Sequence, residues 1–251
     1  MSAATASEKR FPWWFEPAFI VVVLSGFSVY TIWAALQQWG LYTENGSNYL
    51  SPFYSPRIID HSLWGWLSPA FLILWVPLGF RATCYYYRKA YYRSFFLDPP
   101  ACARPEPRGE NYSGETKFPF IINNLHRYFF LLATIVLAFL WYDAILAFFF
   151  KDGSGNTHFG AALGSLIFLI NVVLLSLYSF SCHSLRHIIG GKMDCFTCSL
   201  AGGARHKTWG WISILNERHH LWAWLSLFSV LSVDIYIRLL QAGLIYDVRF
   251  F

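Results

Sequence analysis

Of 251 residues, 56% are apolar and 20% aromatic, while only 13% are charged, against about 25% charged in ordinary soluble domains. This balance excludes a water-soluble globular domain and predicts an all-α membrane protein. The net charge of +5 is read as a topology signal and not as a nucleic-acid footprint.

In the N-terminal tail, residues 1–16, Lys9 and Arg10 precede a bulky aromatic cluster. No small-residue cleavage site closes a short apolar core, so no removable signal peptide is expected. Five segments are long enough to cross a hydrocarbon core of about 30 Å: about 17–39, 62–80, 124–150, 159–188 and 217–243. Together they make a five-helix transmembrane unit, 17–245, followed by a tail at 246–251. Inside these spans the acids and bases well away from the ends are Asp143, Asp234 and Arg238. Unpaired charge in lipid is costly, so a buried acid pair bridged by the one arginine is expected, with a proton path as the alternative.

Basic residues set the orientation. The tail, the loop 81–123 (Arg81, Arg88, Lys89, Arg93, Arg104, Arg108, Lys117) and the loop 189–216 (with Lys192, Arg205, Lys207, and Arg186 just before it) outweigh Arg57, Lys151 and Arg249 on the other side. The positive-inside rule then predicts a cytoplasmic N-terminus and an outer C-terminus. After the second span, aromatics interleave with Arg88, Lys89 and Arg93, the pattern of an interfacial amphipathic helix or a docking surface. Prolines 99, 100, 105 and 107 end it.

All five cysteines, Cys84, Cys102, Cys182, Cys195 and Cys198, fall toward the predicted cytoplasmic face, where disulfides are disfavoured. His126, His183, His187, His206, His219 and His220 crowd the same face. Thiols and imidazoles from several helices at one depth suit a redox-metal site; buried thiols acting as small hydrophobes and interfacial histidines are the structural alternative. His183 and His187 share a helix face, whereas Cys182 points about 100° from His183, so one small cofactor reaches both only if the helix frays there. Gly190 and Gly191 should end that helix. The lone C-x-x-C of Cys195 and Cys198 is a weak zinc signal.

The runs CYYYRKAYYRSFF and DPPAC, GETKFPFIINNLHRYFF followed by WYDAI, and SCHSLRHIIGG resemble the membrane-anchor subunit of actinobacterial type F respiratory complex II, the family of mycobacterial succinate dehydrogenase 1. YLSPFYSP at 49–56 and LWAWLSLFSV at 221–230 fit the same pattern, so the resemblance runs from Tyr49 to Arg238. It implies a five-helix anchor in the cell inner membrane that docks a flavoprotein and an iron–sulfur subunit. It further implies a membrane-embedded Rieske-type [2Fe-2S] cluster that passes electrons to a quinone, either menaquinone or ubiquinone. The positions inside matching motifs are Cys84, Cys102, His126, Cys182 and His183. The resemblance implies His126 and His183 on one iron and two of the three thiols on the other, with Cys195 and Cys198 outside the cluster. By location, Tyr87, Arg88, Arg127, His187, His219, His220 and Trp224 are candidates for contact with the quinone. A haem b anchor and a non-redox membrane scaffold are the competing readings. Succinate itself is expected to react on a partner, since the chain has no G-x-G-x-x-G element.

Overall fold

The computed structural model describes residues 12–37, 40–57, 68–96, 116, 118, 120–191, 195, 197, 198 and 201–251. The first helix, α1 (Phe15–Leu36), buries Pro17, Ile20, Ala34 and Ala35 and leaves Phe19, Val22, Val29 and Ile32 uncovered. An apolar helix with so little burial is built for lipid. α4 (His126–Leu146), α5 (Leu163–Phe180) and α8 (His219–Gln241) are likewise long and apolar enough to cross a membrane. α2 (Phe71–Thr83) is apolar but has 13 residues, about 20 Å of helix. Three further helices, α3 (Tyr85–Phe96), α6 (His183–Gly190) and α7 (Gly202–Glu217), bring the described residues to eight helices. Residues 62–67 of the expected second span and, within the loop 81–123, residues 97–115, 117 and 119, including Cys102, lie outside the described residues.

Two expected spans are shorter than the sequence suggests. The apolar run 124–150 leaves the helix at Leu146, because Phe149–Lys151 (β3) pairs antiparallel with Thr157–Phe159 (β4). The run 159–188 is not one helix: α5 stops at Phe180, Cys182 is extended with ψ 138°, and α6 starts afresh at His183. Gly190 and Gly191 close α6 as expected.

Contacts define two ends of the bundle. At one end lie β1 (Leu41–Tyr42) paired with β2 (Tyr49–Leu50), the β3–β4 hairpin and the C-terminal tail. There Asp247 accepts hydrogen bonds from the Tyr49 and Tyr236 hydroxyls and from Gly164 N. The opposite end gathers the C-termini of α2 and α5 and the N-termini of α4 and α8. The start of α1 lies there too, since Glu16 is 3.7 Å from Arg93 on α3 and Phe19 packs on Trp224 of α8.

The expected bridging of Asp143 and Asp234 by one arginine is not what the fold builds. Asp234 is fully buried and accepts from Arg238 Nε (2.7 Å), the Tyr30 hydroxyl (2.6 Å) and the Ser51 hydroxyl. Asp143 instead accepts from the Ser55 hydroxyl, 2.5 Å away. The segment 51–55 reaches between the helices and supplies a separate hydroxyl to each acid, which removes the need for a shared cation.

Candidate functional site

Two chain breaks build the site. α2 ends at Thr83, and Cys84, extended with ψ 131°, leads directly into α3. α5 ends at Phe180, and Ser181 and Cys182 lead into α6, whose N-terminus Cys182 caps by accepting from Ser184 N at 3.3 Å. Each thiol therefore sits at the start of a helix, where backbone N–H groups face the sulfur. Two histidines complete the arrangement, each the first residue of a long helix: His126 of α4 and His219 of α8.

The pairs cross. His126 Nε2 lies 2.9 Å from Cys182 Sγ while its Nδ1 lies 2.9 Å from Thr83 Oγ1, the neighbour of the other thiol. His219 Nε2 lies 3.3 Å from Cys84 Sγ while its Nδ1 lies 2.6 Å from Ser181 Oγ. Each ring also stacks on an aromatic: His126 on Phe80 at 5.0 Å, His219 on Tyr178 at 5.1 Å. Both halves thus read aromatic-x-x-hydroxyl-Cys, as FRATC and YSFSC, followed by a histidine that opens a later helix. This repeat was legible in the sequence and was missed.

Cys84 and Cys182 belong to one core cluster with Phe80, Tyr87, Phe130, Tyr178 and Ala223. Burial pushes the Cys182 thiol up to about 12 and raises that of Cys84, against the pull of nearby backbone N–H groups. Without a metal both are thiols, and each S–H has an imidazole Nε2 to accept it. Arg81, read from the sequence only as a topology charge, enters the same core. It donates to the Tyr87 hydroxyl (2.7 Å), Ala223 O (3.2 Å) and Ser226 Oγ (3.0 Å), and its guanidinium lies 4.6 Å from the Tyr178 ring centre.

These four groups face a cavity of about 940 Å³. Arg88, Arg127, His187, His219 and His220 line it as well. Tyr87 and Trp224 do not line it: the Tyr87 hydroxyl donates to Ala223 O, and Trp224 Nε1 donates to the Tyr86 hydroxyl. His183 lines the cavity but pairs with His187, Nε2 to Nε2, at 2.9 Å. The helix does break at Cys182, as shared use of the two side chains would require, but the His183 ring nitrogen is engaged by His187. Cys195 and Cys198 are joined to each other in a disulfide, contrary to the expectation of reduced thiols; their Cα atoms are 5.4 Å apart, within bonding range.

Among the described residues, no three His, Cys, Asp or Glu side chains converge on a single-ion site. The donor set instead fits a two-iron cluster. Two thiols and two imidazoles whose second nitrogens are already hydrogen-bonded are suitable ligands for mixed thiolate–imidazole iron. Ligation would replace each shared S–H···N proton by metal. The Tyr178 hydroxyl, fully buried and interacting with the Cys84 thiol, is a donor that such a sulfur centre would satisfy.

Fold and site thus define a multi-helix membrane protein with a buried thiol–imidazole centre at one end of its bundle. The sequence matches the family model of the actinobacterial succinate dehydrogenase subunit SdhC over residues 15–243, and the chain belongs to that family. It is similar to a chain of the Mycobacterium smegmatis Sdh1 complex in the apo form, at 39% identity and a TM-score of 0.82, over 98% of this chain and 94% of that one. No curated protein matches. The chain is therefore the multi-pass inner-membrane anchor subunit of a succinate dehydrogenase, whose catalytic site lies on partner subunits.

Proposed function

We propose that this anchor holds a Rieske-type [2Fe-2S] cluster through Cys84, Cys182, His126 and His219, and that electrons from succinate reach a quinone, menaquinone or ubiquinone, in the adjoining cavity. The crossed histidine–cysteine pairs carry this reading. They favour the cluster over haem b, because each Nε2 faces a thiol and thiolates beside imidazoles suit iron–sulfur chemistry.

When bound, the cluster supplies one-electron transfer between donor and quinone. Arg88, Arg127 and His220 offer donors to the quinone carbonyl oxygens, and the His183–His187 pair offers a proton route as the quinone is reduced. The flavoprotein and iron–sulfur subunits dock at this thiol end, where Arg88, Lys89, Arg93, Arg186 and Arg205 gather. That end is cytoplasmic, with α2 as the second of five spans, α3 in the headgroup layer, loops 81–123 and 189–216 inside, and the tail 246–251 outside.

Purified complexes carrying Cys84→Ser, His219→Ala or His183→Ala test the assignment. The first two should lose quinone reduction and the low-average-g electron paramagnetic resonance signal, yet keep succinate-driven reduction of a soluble dye. His183→Ala should keep the signal and the dye reaction, and slow quinone reduction without abolishing it, because it cuts the His183–His187 proton route. Loss of the signal in His183→Ala with its survival in His219→Ala would return the ligand to His183.

A further inference from the structure

Each ligand imidazole of the centre is held by its second nitrogen, and the hydrogen-bond chain fixes which nitrogen carries the proton. Thr83 Oγ1 is 2.9 Å from His126 Nδ1 and 2.6 Å from Gly79 O. Ser181 Oγ is 2.6 Å from His219 Nδ1 and 3.0 Å from Tyr178 O. A carbonyl oxygen only accepts, and a hydroxyl has one proton to give. Both hydroxyl protons therefore go to helix carbonyls, and the lone pair left on each oxygen faces a ring nitrogen. That nitrogen must be N–H. A neutral ring protonated at Nδ1 carries its free lone pair on Nε2, the atom directed at sulfur in both pairs.

We propose that Thr83 and Ser181 are positioning residues that lock both imidazoles in the Nδ1–H form and present Nε2 to iron. This rests on the cluster assigned above to Cys84, Cys182, His126 and His219. The crossing gives the lock a further property. Thr83 adjoins Cys84 in sequence but orients the ring that faces Cys182, and Ser181 adjoins Cys182 but orients the ring that faces Cys84. A shift at either chain break moves one ligand of each pair, so the two halves are set together. An Nδ1–H that donates to a hydroxyl also makes its ring a stronger donor at Nε2, which favours the oxidised iron and lowers the potential.

The test uses the whole purified complex. With histidine labelled with ¹⁵N at Nδ1, the strongly coupled nitrogens in electron–nuclear double resonance of the reduced wild type should remain ¹⁴N, because Nε2 is the ligand. Strong coupling from ¹⁵N would overturn the proposal. Thr83→Val and Ser181→Ala should each raise the midpoint potential of the signal and weaken iron retention against a chelator by about 10- to 100-fold. Thr83→Ser and Ser181→Thr should restore wild-type values. Unchanged potentials in Thr83→Val and Ser181→Ala would also overturn it. Wild-type complex with no nitrogen-coupled iron–sulfur signal would instead remove the cluster itself, and this proposal with it, so the two failures are distinct.

Discussion

Asp234 is a carboxylate with no exposure, placed two-thirds of the way along a membrane helix and held by Arg238, Tyr30 and Ser51. Such a group is stable only while every partner remains, since removing one member of a buried ion pair strands the other. Asp234→Ala should therefore lower the stability of the anchor by about 3–5 kcal/mol, and Asp234→Leu combined with Arg238→Met should recover most of that loss. Thermal denaturation of the purified complex in detergent reads both; a double variant no better than the single would show that the ion pair is not the main term. The same scale shows where the sequence was informative. Cys84, His126 and Cys182 could be named from their motifs. His183 lies inside a family motif and His219 stands out only by its location near the quinone, whereas the fold sets His219 Nε2 3.3 Å from Cys84 Sγ and pairs His183 with His187. The two-residue break at Ser181 and Cys182 that separates α5 from α6 leaves no trace in hydrophobic periodicity.

At the scale of elements, apolar run length identified the helices better than their ends. Periodicity does not separate a helix from the apolar strand that follows it, which is why 124–150 contained both α4 and β3. The ends are set by close packing, and one glycine shows how tightly. A Cβ at Gly164, in the first turn of α5, would lie 2.6 Å from the Tyr49 ring. That ring is fully buried, stacked between Tyr42 and Phe168, and tethered through its hydroxyl to Asp247. It has nowhere to go. Gly164→Ala should cost about 1–3 kcal/mol by overpacking. Gly26 on α1 has nothing within 4 Å of its built Cβ, so Gly26→Ala should be neutral or stabilise by about 0.5–1 kcal/mol. Melting temperatures of the two variants in one detergent should move in opposite directions or differ clearly; equal shifts would deny the close approach of α5 to Tyr49.

For the molecule as a whole, the connectivity of the first half recurs in the second. A helix runs to the thiol end, breaks at hydroxyl-Cys into a short helix, and the chain later returns through a helix opened by histidine; the hydroxyl–histidine separations are 43 and 38 residues. Two such halves meeting at one end leave the other end to hairpins and the tail, so the molecule has a chemical end and a closing end. Their charge differs in the same sense: Arg88, Lys89, Arg93, Arg186, Arg205 and Lys207 gather near the thiol end, whereas Arg57, Lys151 and Arg249 belong to the hairpin end. Basic loops resist transfer across the membrane, which predicts that the thiol end faces the cytoplasm. Ser154, at the exposed tip of the β3–β4 hairpin, and Lys207, exposed on α7, sit on opposite ends and suit a labelling test. In spheroplasts, a membrane-impermeant maleimide should label Ser154→Cys, and should label Lys207→Cys only after the membrane is permeabilised. Neither residue touches the centre, so succinate–quinone activity should persist in both variants and certify that the labelled protein is assembled. Labelling of Lys207→Cys in sealed spheroplasts would invert the anchor. It would put the cavity, and with it the proposed docking face for the partner subunits, on the wrong side of the membrane.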